Sequence, residues 1–179
     1  MLQVNVSQLL KSPVGTTRQY AIDDIVQIMD DEQRVSGQVE LVKTNHSILV
    51  RGNLQTQVEL SCIRCLCPFT CPLDIIIEEE FFPTRDVVSG VSLHSPEEPG
   101  SFLIDEHHIL DLTEAIRQYA VLSVPMKPLC HEDCAGICPI CGHNRNIEPC
   151  DCPPEMDAQW AELRELFPAR KETGGKEME

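Results

Sequence analysis

The stretch Leu54-Gln55-Thr56-Gln57-Val58-Glu59-Leu60 changes character at every second residue, with Leu54, Thr56, Val58 and Leu60 on one side and Gln55, Gln57 and Glu59 on the other. Successive side chains of a β-strand point to opposite faces, so this spacing predicts a strand with one buried face. Upstream, Val35, Gly37, Val39 and Leu41 alternate with Ser36, Gln38 and Glu40. Residues 48–51 read as a further strand, with Gly52-Asn53 as the turn joining it to residues 54–60. Downstream, residues 72–82 carry Leu73, Ile75, Ile77 and Phe81 on one side. The connections are too short for the crossovers that parallel strands need, which predicts an antiparallel meander.

Helical spacing appears at two places. Residues 5–12 suit a short helix capped by Asn5 or Ser7 and stopped by Pro13 and Gly15. A second helix starts from Asp111 or Thr113. Its Leu112, Ala115, Ile116, Tyr119 and Leu122 form one apolar stripe that ends before Pro125 and is expected to cover a face of the sheet. Residues 84–101 mix Ser, Pro, Gly and Glu and read as a surface loop. The expectation is an α+β protein. Its antiparallel meander or partial barrel, with a covering helix, occupies residues 1–125. A cysteine-rich module follows at 126–153, then a helix at 154–168 presenting Trp160, Leu163 and Phe167, and a disordered tail at 169–179.

The chain has 179 residues, with 14 Lys and Arg against 29 Asp and Glu, for a net charge of −15. The charge is −2 over residues 1–60, −8 over 61–125 and −5 over 126–179, counted from the same sequence. No region is cationic, which excludes a general nucleic-acid clamp, because phosphate would bind against the field of the whole molecule. One Trp, two Tyr and five Phe leave few rings for base stacking. The start, Met1-Leu2-Gln3-Val4, lacks the basic and apolar regions of a signal peptide. The longest aliphatic run, Ile75-Ile76-Ile77, is too short to cross a membrane. A cytoplasmic protein with reduced thiols is expected.

Ten cysteines then point to metal rather than disulfides. In Cys138-Pro139-Ile140-Cys141-Gly142, two residues between thiolates bring both sulfurs to one ion, and the following Gly permits the positive φ of the turn. This has the form of a zinc knuckle. Zn²⁺ takes four tetrahedral ligands, so two more must come from Cys130, Cys134, Cys150 and Cys152, and either pair has the reach. The few apolar residues of the segment, Met126, Leu129, Ile137, Ile140 and Ile147, are too few to order it by burial, whereas a structural zinc ion would do so. His131 and His143 are candidate replacement ligands but read more simply as solvated loop residues.

The second cluster is Cys62-Ile63-Arg64-Cys65-Leu66-Cys67, with Cys71 following. No Gly follows Cys65. Three readings stay open: a second zinc knuckle that also uses Cys67 or Cys71, a site shared with Cys130 and Cys134, or buried thiols. A redox dithiol would want its pair at a helix N-terminus, and Pro68 with the flanking strands argues for a turn. Arg64 would pair with a carboxylate, reach a phosphate or sit in solvent. No Gly-rich phosphate loop, paired-histidine metalloprotease helix or nucleophile elbow is present, so neither an enzyme nor a small-molecule substrate is expected. His107-His108 with Asp105 and Asp111 reads as a polar approach to a helix.

Taken together, several pieces resemble the YceD family over residues 34–167. They are the Cys62-Ile63-Arg64-Cys65-Leu66 turn after a meander, the Asp111-Leu112 helix leading to Pro125-Met126, and the run from Leu129-Cys130 through Cys134, Gly136, Cys138-Pro139, Cys141-Gly142 and Asn144. The closing Trp160 helix completes the set. The resemblance implies a role in accumulation of large-subunit ribosomal RNA, hence in ribosome assembly. Some relatives lack most of the C-terminal cysteines, so the implied zinc is structural. Arg145, Gln118, Cys67 and Cys71 depart from the family pattern. The partners implied are ribosome-assembly intermediates or basic ribosomal proteins; Glu78-Glu79-Glu80 and Glu97-Glu98 read as solvated surface, with docking of a basic ribosomal protein as the alternative. Two other classes compete: a redox or zinc-responsive thiol protein, and an RNA-binding zinc module using Lys127, His143, Arg145 and Asn146. Four thiolates around one Zn²⁺ carry −2, so one such site would take the formal charge from −15 to −17 and two to −19. Any RNA contact must therefore be local.

Overall fold

A computed structural model describes residues 2–93 and 100–153. The helix expected at 154–168 and the tail beyond it lie outside the described residues. The elements run β1 (Gln3–Asn5), α1 (Ser7–Leu10), β2 (Thr17–Ile28), β3 (Asp31–Lys43), β4 (Ile48–Ser61), β5 (Pro68–Pro83), β6 (Phe102–Ile104), β7 (Ile109–Asp111) and α2 (Thr113–Ser123). β2 to β5 form the expected meander, each strand antiparallel to its neighbour, and β6 joins β5 in parallel. β1 pairs with β7 in a separate two-stranded sheet.

Two corrections to the sequence reading concern strands. Residues 17–28, which show no clear alternation, form the long strand β2; its inward side mixes Ile22, Val26 and Ile28 with half-buried Arg18 and Asp24. Gly52-Asn53 is not a turn. β4 runs unbroken through it, and Gly52 lies between Val39 of β3 and Ile77 of β5. A Cβ at position 52 would stand 2.7 Å from Val39 Cγ1, so the glycine leaves room for the side chain of the neighbouring strand.

The core is aliphatic. Val35, Val39, Leu41, Val50, Leu54, Leu73, Ile75, Ile77 and Phe81 are all buried on one face of the curled sheet. α2 packs against both β5 and β2, the fourth and first strands of the meander, and so lies across the open side of a half-barrel. Its buried residues are Ala115, Ile116 and Ala120, preceded by Leu112. Leu122, expected in the stripe, is 78% exposed. The helix ends one residue later, and among the described residues Leu122 stays outside the core. Tyr119 donates its hydroxyl to the Glu78 carbonyl at 2.9 Å and to Glu79 Oε1 at 3.0 Å, fastening the helix to β5. The cap position of α2 is Leu112, not the expected Asp111 or Thr113, and carries no side-chain cap; Asp111 Oδ1, one residue earlier, accepts the Thr113 N–H at 2.9 Å. The expected loop between β5 and β6 contains a bridge between Arg85 and Ser92 around a turn held by the Asp86 carboxylate. No helix among the described residues is long and apolar enough to cross a membrane.

Candidate metal centre

The β4–β5 connection projects Cys62 and Cys65 from the end of the two longest strands. Ile63 N–H donates to the Pro128 carbonyl at 3.0 Å, and Ile137 N–H donates to the Arg64 carbonyl at 3.0 Å. The Arg64 guanidinium also donates to the Cys134 carbonyl at 3.0 Å. These bonds lay residues 128–137 alongside the connection. Gly136 sits so close to Arg64 that a Cβ there would approach the Arg64 carbonyl to 3.1 Å. Arg64 thus ties two chain segments together through its carbonyl and one guanidinium nitrogen.

That juxtaposition brings Cys62, Cys65, Cys130 and Cys134 into one inner cluster, with all four sulfurs within 4.8 Å of one another. Cys62 and Cys134 sulfurs are 3.7 Å apart, and Cys65 and Cys130 sulfurs 3.6 Å. A tetrahedron with Zn–S of about 2.3 Å has edges of about 3.8 Å, whereas a disulfide holds its sulfurs at about 2.05 Å. All ten cysteines are free. The spacing therefore fits four thiolates around an ion. Cys62, Cys65 and Cys134 are buried, with Cys130 half-buried.

An outer cluster forms from Cys138, Cys141, Cys150 and Cys152, again with all sulfurs within 4.8 Å. Cys138 N–H donates to the His143 carbonyl at 2.8 Å and Gly142 N–H to the Cys138 carbonyl at 2.9 Å, closing the expected knuckle. Gly142 has a φ of 72°. Cys138 is buried, Cys141 exposed, and Cys150 and Cys152 half-buried. Of the two pairs with the reach to complete the knuckle, the fold supplies Cys150 and Cys152, while Cys130 and Cys134 go to the β4–β5 connection.

Each cluster pairs a thiol that ionises readily with one that resists. Burial opposes ionisation of Cys62, yet backbone N–H groups of Cys65, Cys130 and Arg64 outweigh it and hold the thiol down at about 6. Cys65, although the Cys67 N–H favours its thiolate, is pushed up to about 12 by burial and by the neighbouring Cys62, Cys130 and Cys134 sulfurs. In the outer cluster the Cys141 and Ile140 N–H groups hold Cys138 at about 6, and the Cys141 sulfur, with burial, pushes Cys152 up to about 12. Four thiolates this close repel one another, and a divalent cation between them removes that penalty.

Cys67 and Cys71 belong to neither cluster. Cys67 sulfur accepts an N–H from Asn144 Nδ2 at 3.1 Å, and Cys71 sits in β5 opposite Val58. His131 Nδ1 contacts Cys130 sulfur at 3.1 Å, and His143 lies 4.0 Å from Glu148; neither joins a cluster. Of the residues read as an RNA-facing set, Arg145 reaches Cys138 sulfur at 3.7 Å and Asn146 reaches Cys134 sulfur at 3.3 Å. Those two are turned toward sulfur. The sequence signal for this was the Asn-x-Asn spacing of Asn144 and Asn146, which has no meaning until the clusters are in place. Asp105 Oδ1 accepts the N–H groups of His107 and Ile109 and shapes the β6–β7 turn, in keeping with a structural role for that polar group.

The profile of a family described as large ribosomal RNA subunit accumulation protein YceD matches residues 50–167. Uncharacterized proteins of Mycobacterium bovis and Mycobacterium tuberculosis are 28% identical over 130 residues, which is 72% of this chain and 60% of theirs. One from Mycobacterium leprae is 25% identical over 140 residues, 75% of this chain and 62% of its own. The chain thus spans about three fifths of the length of these curated relatives. No solved structure matches it.

Proposed function

The chain belongs to the YceD family, described as large ribosomal RNA subunit accumulation proteins, and from that premise we propose that it is a non-enzymatic ribosome-assembly factor stiffened by two structural zinc ions. The family match over residues 50–167 is the observation that carries this reading. Cys62, Cys65, Cys130 and Cys134 hold one ion, and Cys138, Cys141, Cys150 and Cys152 the other. All-sulfur tetrahedral sets select zinc among the common divalent ions and leave no open coordination position for catalysis.

The zinc ions supply rigidity, and this chain's own residues do the rest. Arg64 and Ile137 clamp the cysteine-rich segment to the sheet. Glu78 and Glu80 lie on the outward face of β5, Glu78 paired with Arg51, while Glu79 is on the opposite face against Tyr119 of α2. With a net charge of −15, the protein engages assembling large subunits through basic ribosomal proteins, with any RNA contact confined to a small area. Affinity purification from growing cells, with metal analysis of the same sample, tests this directly. Precursors of the large subunit should co-purify with the chain and about two zinc ions per chain. Depletion that leaves large-subunit ribosomal RNA at its normal level overturns the assembly role.

A further inference from the structure

Asn146 lies in the loop between Cys141 and Cys150, the two halves of the outer cluster, yet its side chain serves the inner one. Its Nδ2 donates to Cys134 sulfur at 3.3 Å and to Asn144 Oδ1 at 2.9 Å, while its Oδ1 accepts the Ala135 N–H at 2.7 Å. Asn144 Nδ2 extends the same reach to Cys67 sulfur at 3.1 Å, and its Oδ1 accepts the Asn146 N–H at 2.9 Å. Arg145 N–H, between them, donates to the Gly136 carbonyl at 2.9 Å. A single Asn-x-Asn step from the outer loop therefore reaches Cys134 of the inner cluster and Cys67 beside it.

We propose that Asn146, held by Asn144, couples the two clusters, so that an ion in the outer site raises the affinity of the inner site and the inner ion does the same for the outer. This rests on the reading of both clusters as metal sites. An ion held by Cys141 and Cys150 closes the loop that carries Asn146 and removes much of its conformational freedom. The Asn146 amide is then already in place when Cys134 becomes a ligand, and an N–H donor to a coordinating thiolate stabilises its charged form. Without the outer ion, the same amide must be ordered at the expense of inner-site binding. Linkage makes the effect reciprocal. Cys67 acts in this arrangement as the acceptor that anchors Asn144, not as a ligand, which accounts for a fifth cysteine beside a complete set of four.

Asn146→Asp keeps an oxygen that accepts the Ala135 N–H but donates no N–H to Cys134 sulfur or to Asn144 Oδ1 and adds a negative charge, so the uncharged Asn146→Ala is measured beside it to separate the lost donor from the added charge. The full chain is loaded with Cd²⁺, which gives a separate NMR resonance for each tetrathiolate site, and inner-site affinity is measured by competition with an aminopolycarboxylate chelator. Disabling the outer site with Cys150→Ser and Cys152→Ser should weaken inner-site binding by about 10-fold or more, the range found when a ligand's hydrogen-bond partner is lost. In the Asn146→Asp background, where inner affinity is already reduced, the same pair of serines should have little further effect. Coupling is overturned if inner affinity is unchanged by loss of the outer site, or if the loss is undiminished by Asn146→Asp. Should the double-serine chain fail to fold, Asn146→Asp alone decides: an inner resonance and affinity identical to the natural chain's refute the proposal. A natural chain that binds no Cd²⁺ at either cluster refutes the metal reading as well, an outcome separate from two filled but independent sites.

Discussion

Leu66 and Gly142 hold the same place in two knuckles. Each follows the second cysteine of a Cys-x-x-Cys pair and has positive φ, 60° and 72°, and each donates its N–H at 2.9 Å to the carbonyl of the first cysteine. Glycine enters this conformation freely, whereas leucine meets its own Cβ against the following carbonyl. Leu66 is also 64% exposed, so burial does little to offset the strain. The turn is common to both sites, and only one of them has the residue that suits it.

Relieving that strain should stabilise the metal-loaded protein. The left-handed conformation costs an L-residue about 1–2 kcal/mol, and the extra freedom of an unfolded glycine returns about half of it. Leu66→Gly is therefore expected to gain up to about 1 kcal/mol in urea unfolding, and Leu66→Val to lose about 1 kcal/mol because branching at Cβ tightens the clash. Gly142→Ala meets no atom within 4 Å, so its loss should be the backbone cost alone, about 1 kcal/mol. A valine variant as stable as the glycine variant would contradict this account.

Gly52 and Val39 should behave as a coupled pair. An alanine at 52 would press on Val39 Cγ1 at 2.7 Å, costing about 1–3 kcal/mol by overpacking. Val39→Ala removes that methyl group but leaves a cavity. The double variant should consequently lose at least about 0.5 kcal/mol less than the two single losses added together. Strict additivity in denaturant titrations would show that the strands separate instead.

How far the sequence discloses the fold depends on how cleanly each strand alternates. β3, the second half of β4 and β5 bury the residues that period two predicts, including Val39, Leu54 and Ile75. β2 escapes notice because Arg18 and Asp24 occupy its inward positions while Ile25 faces solvent at 63% exposure. Gly52-Asn53 looks like a hairpin turn because the local signal for a turn and for a close strand approach is the same residue. The ten cysteines stand out in the sequence, but spacing does not set Cys67 and Cys71 apart from the eight that cluster. Their division into two groups depends instead on the contacts of Arg64 with Ile137 and Cys134, which are long-range and have no spacing signature. Leu66 misleads for the opposite reason: the conformation is present without the glycine that advertises it.

Metal stoichiometry separates ligands from bystanders. Native mass spectrometry should find two ions on the natural chain, one after Cys62→Ser, and two after Cys67→Ser or Cys71→Ser. After chelation the aliphatic core should persist, while amide exchange at Cys134, Ile137 and Cys138 loses its protection. Retention of two ions by the Cys62 variant would refute the inner ligand set.

Tyr119 predicts an alkaline limit. Burial and the Glu79 carboxylate push its hydroxyl above the ordinary value of 10. In the unfolded chain the group loses its proton first, so its stabilising contribution is complete below pH 10 and declines as pH rises through the folded value. Tyr119→Phe should cost about 1 kcal/mol near neutrality by removing the hydrogen bonds to Glu78 and Glu79. Its deficit should shrink above pH 10, as unfolding curves collected across that range would record. A deficit constant with pH would assign the loss to packing.

The inner cluster also imposes an order on biosynthesis. Cys62 and Cys65 leave the ribosome long before their partners, since Cys65 and Cys130 are separated by 65 positions and Cys62 and Cys134 by 72. The β4–β5 hairpin can pair as soon as it emerges, but its tip keeps two unsatisfied thiols until the segment after α2 has been made. An ion joining segments so distant would be equivalent to a crosslink that removes about 4 kcal/mol of chain entropy from the unfolded state. A nascent chain arrested before Cys130 would hold a formed sheet and an open sulfur pair, susceptible to oxidation until translation delivers the other half of the site.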